Sequence, residues 1–215
     1  MTAETEVVDF SGKFFREEDL SDSDFTGINF KGADMRGENL SNSIFKGADF
    51  EGVDLTRCNL RNADFTDANL KGAILKRSNL CGADFTNANM SGADFMSAKF
   101  FEYKVSRDAV RYAVKANFTG TNLTNTSFLD TVFSDVISMF EANLAGADFT
   151  GVDLSWVDFQ RANLRGVKFN KANLSDAKLE WSDATGADFT DAKTEFMHCT
   201  ATNLADAIGY IPAAN

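Results

Sequence analysis

From Phe10 to Phe100 every fifth residue is Phe, Leu or Met, without exception. Two positions before each of these stands a small residue, usually Ala, Ser or Val, and the residue between is usually Asp or Asn. The run from Ala48 reads Ala-Asp-Phe-Glu-Gly, Val-Asp-Leu-Thr-Arg, Cys-Asn-Leu-Arg-Asn. A fixed short period decides architecture before any other feature, because each unit buries its apolar face only against its neighbours. Five matches neither a helix, apolar at every third and fourth residue, nor a strand that alternates throughout.

Let i be the large apolar residue of each pentad. Positions i−2 and i then share one side and i−1 the other, which is one short strand. Positions i+1 and i+2 turn the chain. Gly occupies i+2 at Gly12, Gly27, Gly32, Gly47 and several later repeats, where corners require positive φ. A longer period is also visible. Leu20, Leu40, Leu60 and Leu80 form one series and Phe25, Phe45, Phe65 and Phe85 the next. Spacing of twenty implies four pentads per turn, with like side chains stacked about 4.8 Å apart.

These repeats, Ala-Asp-Leu/Phe-x-Gly and Ala-Asn-Leu-x-x, resemble the pentapeptide-repeat family over about residues 8–204. The resemblance implies an all-β fold, a right-handed quadrilateral β-helix. Four repeats per coil over that span make about nine coils, a rod roughly 45 Å long. One domain is expected over 1–215. It comprises a lead-in at 1–8, repeats at 9–100, an insertion at 101–116, repeats at 117–204 and a C-terminal cap at 205–215. Lys13, Phe14, Glu18 and Glu38 fill slots that later hold Ala or Asp, so the first coil is expected to be distorted. At the other end Leu204, Ala207, Ile208 and Ile211 suggest a short helix or turn.

Residues 101–116 break the pattern. Two arrangements compete: continued repeats with a bulge before Phe118, or a protruding loop or short helix capped by Ser106 with Asp108 in its first turn. Burial of Tyr103 and Asp108 in small inward slots disfavours the first. The segment carries Lys104, Arg107, Arg111 and Lys115 against Glu102 and Asp108, and adds Phe101, Tyr103 and Tyr112. The chain has 21 Lys and Arg against 32 Asp and Glu, a net charge of −11. Of the segments 1–100, 101–116 and 117–215, with net charges −6, +2 and −7, only the insertion is positive, and aromatic residues with Arg are usual interface anchors. Trp156 and Trp181 occupy outward i+2 slots and complete the set of candidate partner-binding residues. Phe140 and Phe196 also fall outside the inward positions.

Enzymatic chemistry is not expected. His198 is the single His, and Cys58, Cys81 and Cys199 show neither metal-ligand nor disulfide-framework spacing. Cys58 and Cys199 fall inward, and Cys81 is expected to be exposed. Asp pairs such as Asp34 with Asp54, or Asp64 with Asp84, line outer faces as solvated columns or loose cation sites. No catalytic residue, cofactor or metal is expected, and neither is a membrane span. An acidic body argues against direct nucleic-acid binding and permits a protein partner with a basic surface. The expectation is a non-enzymatic scaffold for protein–protein interaction, monomeric or dimerised end to end. It is expected in the cytoplasm, with a cleaved peptide targeting a thylakoid lumen as the alternative. The resemblance implies a second role, since some family members mimic duplex DNA, bind gyrase and protect it from quinolones or peptide toxins. Those members usually have degenerate, Cys-rich repeats, unlike the regular ones here.

Overall fold

The computed structural model describes residues 9–16, 18–105, 111–115, 117–131, 133 and 137–210. Among them there is no helix. The chain coils, and parallel bridges join i−1 residues twenty apart: Asp24 to Ile44, Ile44 to Asp64, Asp64 to Asp84. Three further series, beginning at Asp9, Phe14 and Asp19, run beside this one. Four pentads therefore complete one turn.

Hydrogen bonding within one pentad explains the motif. Around Phe65, the Phe65 N–H donates to Asp84 O (2.7 Å) and the Asp67 N–H to Thr86 O (3.0 Å), both in the following coil. The Asn69 N–H donates back to Ala48 O (2.9 Å), and the Ala68 N–H closes the turn on Phe65 O (3.0 Å). One donor remains, the Thr66 N–H, which reaches Asp64 Oδ1 at 3.0 Å. A buried or half-buried N–H without a partner is costly, so a short acceptor is favoured at i−1, although Ile44, Ile74 and Lys168 also occupy it. Asp and Asn supply it, and the same bond recurs at Asp24, Asp54, Asp84, Asn122, Asp148 and Asp188. Asn adds an amide donor that links coils: Asn59 to Asn39 (3.0 Å), Asn69 to Asp49 (2.9 Å), Asn122 to Asn89 (3.0 Å).

The interior is a stack of side chains at i. Phe25, Phe45, Phe65, Phe85 and Phe118 follow one another at centroid distances of 5.4, 4.9, 5.2 and 5.3 Å, nearly parallel. A second stack runs through Phe95, Phe128, Phe149, Phe169 and Phe189. Neighbouring columns meet edge to face, as Phe45 meets Phe50 at 5.1 Å and 85°. Aromatic quadrupoles favour both offset stacking and T-shaped contacts.

The structure refines two expectations and corrects one. The insertion protrudes from the coil, and its described residues form a hairpin: Phe101–Val105 (β1) pairs antiparallel with Arg111–Lys115 (β2), from Phe101 opposite Lys115 to Val105 opposite Arg111. Ser106, Arg107 and Asp108 lie outside the described residues. Asp84 bridges Asn117 directly, 33 positions on in place of 20, so thirteen residues are looped out while the coil continues. Apolar alternation could not distinguish this hairpin, because its two strands pair only with each other.

Cys81 is buried, not exposed. It sits beside Lys99 O, where Glu102 at the hairpin base pairs with Arg61 and Lys99.

The C-terminal end is not helical. Asn203 bridges Asp183 and Ile208 bridges Asp188, so the coil continues to Ile208. Gly209, at φ +71, then turns the chain so close to Thr190 that a Cβ there would lie 2.7 Å from Thr190 Cα, and Tyr210 lies 5.7 Å from Phe189 across the last layer. The Tyr210 hydroxyl is 3.2 Å from Cys199 Sγ. Ile211 lies outside the described residues.

The first coil keeps the twenty-residue register, with Phe14 bridging Asp34 and Asp19 bridging Asn39. Two of its irregular residues pair with each other. Lys13 Nζ lies over the rings of Phe10 and Phe15 at 5.1 and 4.4 Å and pairs with Glu18.

Candidate interaction surfaces

The hairpin leaves the coil at the corner after Phe100. That column continues through Phe133, which stacks on Phe100 at 4.9 Å, to the corner bearing Trp156. Trp156, Asp176 and Phe196 follow in successive coils, linked by Trp156 N–H to Ser175 O and Asp176 N–H to Glu195 O. The structure thus places the hairpin, Trp156 and Phe196 along one edge. Trp156 is 50% and Phe196 79% exposed. Trp181, 68% exposed, belongs to the next corner, in a column with Arg161 and Glu141. The two Trp residues therefore do not form one patch. Both adopt positive φ, 66° and 64°, conformations that cost bulky residues strain. Phe140 is half-buried under the Arg161 guanidinium (5.7 Å), which Glu141 also holds.

Within the hairpin, Phe101 and Glu102 are half-buried at the base. The register sets Tyr103 opposite Ala113 and Lys104 opposite Tyr112, while Arg111 and Lys115 face Val105 and Phe101. Arg107 lies outside the described residues.

A second surface was not read from the sequence. At the corner after Phe15, successive coils present Arg16, Arg36, Arg57, and Lys76 with Arg77. These five cations line a groove of about 700 Å³ that runs from Phe15 to Met96. Charge summed along the chain hides them, because they are about twenty residues apart. Reading positions i+1 and i+2 at that period would have found the column.

Groups of metal-ligating residues are absent among the described residues. The aspartates have other roles. Thr26, Thr185 and Thr190 hydroxyls donate to Asp24, Asp183 and Asp188 and hold these carboxyls below their usual range. Arg36 does the same for Asp34. Burial pushes the Cys58 thiol up to about 12, so it is no nucleophile at neutral pH.

Coils of five-residue repeats, with a solvated outer ladder and an apolar axis, define a β-helical solenoid. The chain belongs to the pentapeptide-repeat family: the model for pentapeptide repeats matches overlapping segments over 8–100 and 114–193, leaving out residues 101–113. No curated protein matches the chain. Among solved structures it is similar to QnrB1, a plasmid-mediated fluoroquinolone resistance protein. The trypsin-treated form has TM-score 0.64 and 22% identity, covering 89% of this chain and 90% of that one. The full-length form has TM-score 0.53 and 20% identity, covering 89% and 91%. HetL, involved in heterocyst differentiation regulation in the cyanobacterium Nostoc sp., matches with TM-score 0.39 and 22% identity, covering 94% and 87%.

Proposed function

We propose that this chain is a non-enzymatic scaffold, a right-handed quadrilateral rod of one domain and about nine coils, that recognises a protein partner through its hairpin. One observation carries the reading: thirteen residues are looped out of a coil whose bridges close beneath them, Asp84 to Asn117 and Asn89 to Asn122. The rod does not need the segment for its ladder, yet the chain orders it into β1 and β2. Long interruptions of a regular scaffold are where binding residues concentrate. Tyr103, Lys104, Arg111, Tyr112 and Lys115 supply aromatic and cationic anchors, with Trp156 and Phe196 along the same edge.

Replacing 103–114 by a short Gly/Ser linker tests this. Glu102 is retained because it pairs with Arg61 and Lys99 over Cys81. The rod should melt within a few degrees of the parent, and proteins captured by the parent from a lysate of the source organism should be lost. A collapsed melting temperature with capture retained would mean that the segment is structural.

The second reading is a DNA-mimicking partner of gyrase that confers quinolone or peptide-toxin resistance. The fold shared with QnrB1 and the charge of −11 support it. A gyrase supercoiling assay with and without quinolone separates the two. Protection of gyrase at micromolar chain would establish the second, and no effect would leave the scaffold reading. In both, the partner is a protein and nucleic acid is not bound directly.

A further inference from the structure

We propose that the groove at the Phe15 corner docks a short, carboxylate-rich segment of another protein, a second interaction surface independent of the hairpin. The charges facing it can be counted. Arg36 pairs with Asp34 and approaches Asp54 at 3.8 Å, and Lys76 pairs with Asp94 at 3.0 Å. Arg16 acts on Asp34 only at longer range. No carboxylate among the described residues pairs with Arg57 or Arg77, and both are exposed. Among the described residues, five cations thus line the groove beside Asp34, Asp54 and Asp94, with Glu38 against Arg16 and Arg36 in the adjoining space, on a chain whose net charge is −11.

At other corners several cations are matched across coils, although Lys171, Lys178 and Lys193 also stand without a paired carboxylate among the described residues. Lys31 meets Glu51, Lys46 meets Asp64 and Arg165 meets Asp183. Arg57 and Arg77 instead stand one coil apart at the same corner slot, φ 62° and 56°. Like charges on neighbouring strands repel. A ligand that brings carboxylates between them removes that cost and gains charge-assisted, bidentate hydrogen bonds.

Size favours a peptide. From Arg16 to Arg77 is three coil steps, roughly 14 Å, which an extended chain spans with about four residues. Alternate side chains of such a segment face one way, so two or three Asp or Glu at every second position would meet the guanidinium column. Phe15 and Met96 close the groove with apolar ends. A nucleic acid would carry phosphates past both ends onto the acidic ladders, where they are repelled.

The probe is a fluorescein-labelled peptide of alternating Glu and Ala, eight residues long, with capped termini, titrated by fluorescence anisotropy at 50 mM and 150 mM salt. Its Gln/Ala counterpart and a single-stranded 12-mer oligonucleotide are the comparators. The double variant Arg57→Glu, Arg77→Glu should weaken the Glu peptide by at least about tenfold. Lys178→Glu, Lys193→Glu changes net charge equally on other columns and should stay within about threefold, about 0.7 kcal/mol. Circular dichroism melts confirm that both variants fold. The hairpin-replaced chain should still bind the peptide, so failure here and failure of the hairpin reading are read separately. The inference is overturned if the parent binds the Glu peptide no better than the Gln peptide. Equal loss in both double variants, or tighter binding of the oligonucleotide, would also overturn it.

Discussion

Phe65→Ala is the sharpest test of the stacked interior. Phe65 has no exposed surface and touches Phe45 at 4.9 Å and Phe85 at 5.2 Å as parallel rings, and Phe50 at 5.3 Å edge on. A buried Phe removes roughly 150–250 Å² from water, about 4–6 kcal/mol at 25 cal/mol per Å² as an upper bound. Ala retains part of that area, whereas the cavity left in a rigid coil adds to the loss. The two corrections roughly cancel, and the expected cost is about 3–5 kcal/mol. Each coil contacts only its neighbours, so the loss should also divide the rod into blocks that unfold less cooperatively. Urea unfolding followed by circular dichroism measures both effects, through the midpoint and the slope. Phe25→Ala, at the half-open end of the same column, is the internal comparison and should cost clearly less. A loss below about 1 kcal/mol for Phe65→Ala, or an equal loss for Phe25→Ala, would mean that ring stacking does not hold the coils together.

Four further outcomes follow from the same geometry. Trp181→Gly relieves a positive-φ residue that is 68% exposed, so the melting temperature should rise, by up to about 1 kcal/mol of stability; a clear drop would show that Trp181 packs on the rod. Asn69→Leu removes the acceptor for the Lys71 N–H and the donor to Asp49 and should cost about 1–3 kcal/mol in chemical denaturation. Asp24, Asp34, Asp183 and Asp188 titrate below their ordinary values because hydroxyls and Arg36 donate to the carboxylates. Their stabilisation is complete above the unfolded value near 3.9 and is lost as pH falls through it towards the folded values; melting temperatures should be flat from pH 7 to about 5 and fall below about 4. Gly209→Ala forces a Cβ onto the Thr190 backbone at 2.7 Å and should loosen Tyr210, exposing Cys199 to a thiol reagent faster than in the parent while Cys58 stays unreactive until the chain unfolds.

The fold was largely legible because its rule is local. Each pentad repeats one small residue, one acceptor and one large apolar residue, and the twenty-residue recurrence of Leu20 to Leu80 sets the number of pentads per turn. The candidate surfaces were less so. Residues 101–116 read as a helix or loop because a two-stranded ribbon outside the coil obeys no periodicity of the coil. Cys81 read as exposed because its cover comes from Glu102 and Lys99, twenty residues on. Trp156 and Trp181 are 25 residues apart, one coil plus one pentad, so the twenty-residue period sets them at neighbouring corners.

The sequence by itself determined which side chains point inward, where the chain turns, and why Asp or Asn precedes the apolar residue, since each depends on bonds within one pentad or between coils twenty residues apart. Tertiary structure alone decided what the surface presents. Coiling brings Arg16, Arg36, Arg57, Lys76 and Arg77 onto one corner of an acidic chain and lines up the hairpin with Trp156 and Phe196 on the next. Charges and aromatics add up along the axis of the coil, not along the chain, and the electrostatic field a partner meets follows that axis.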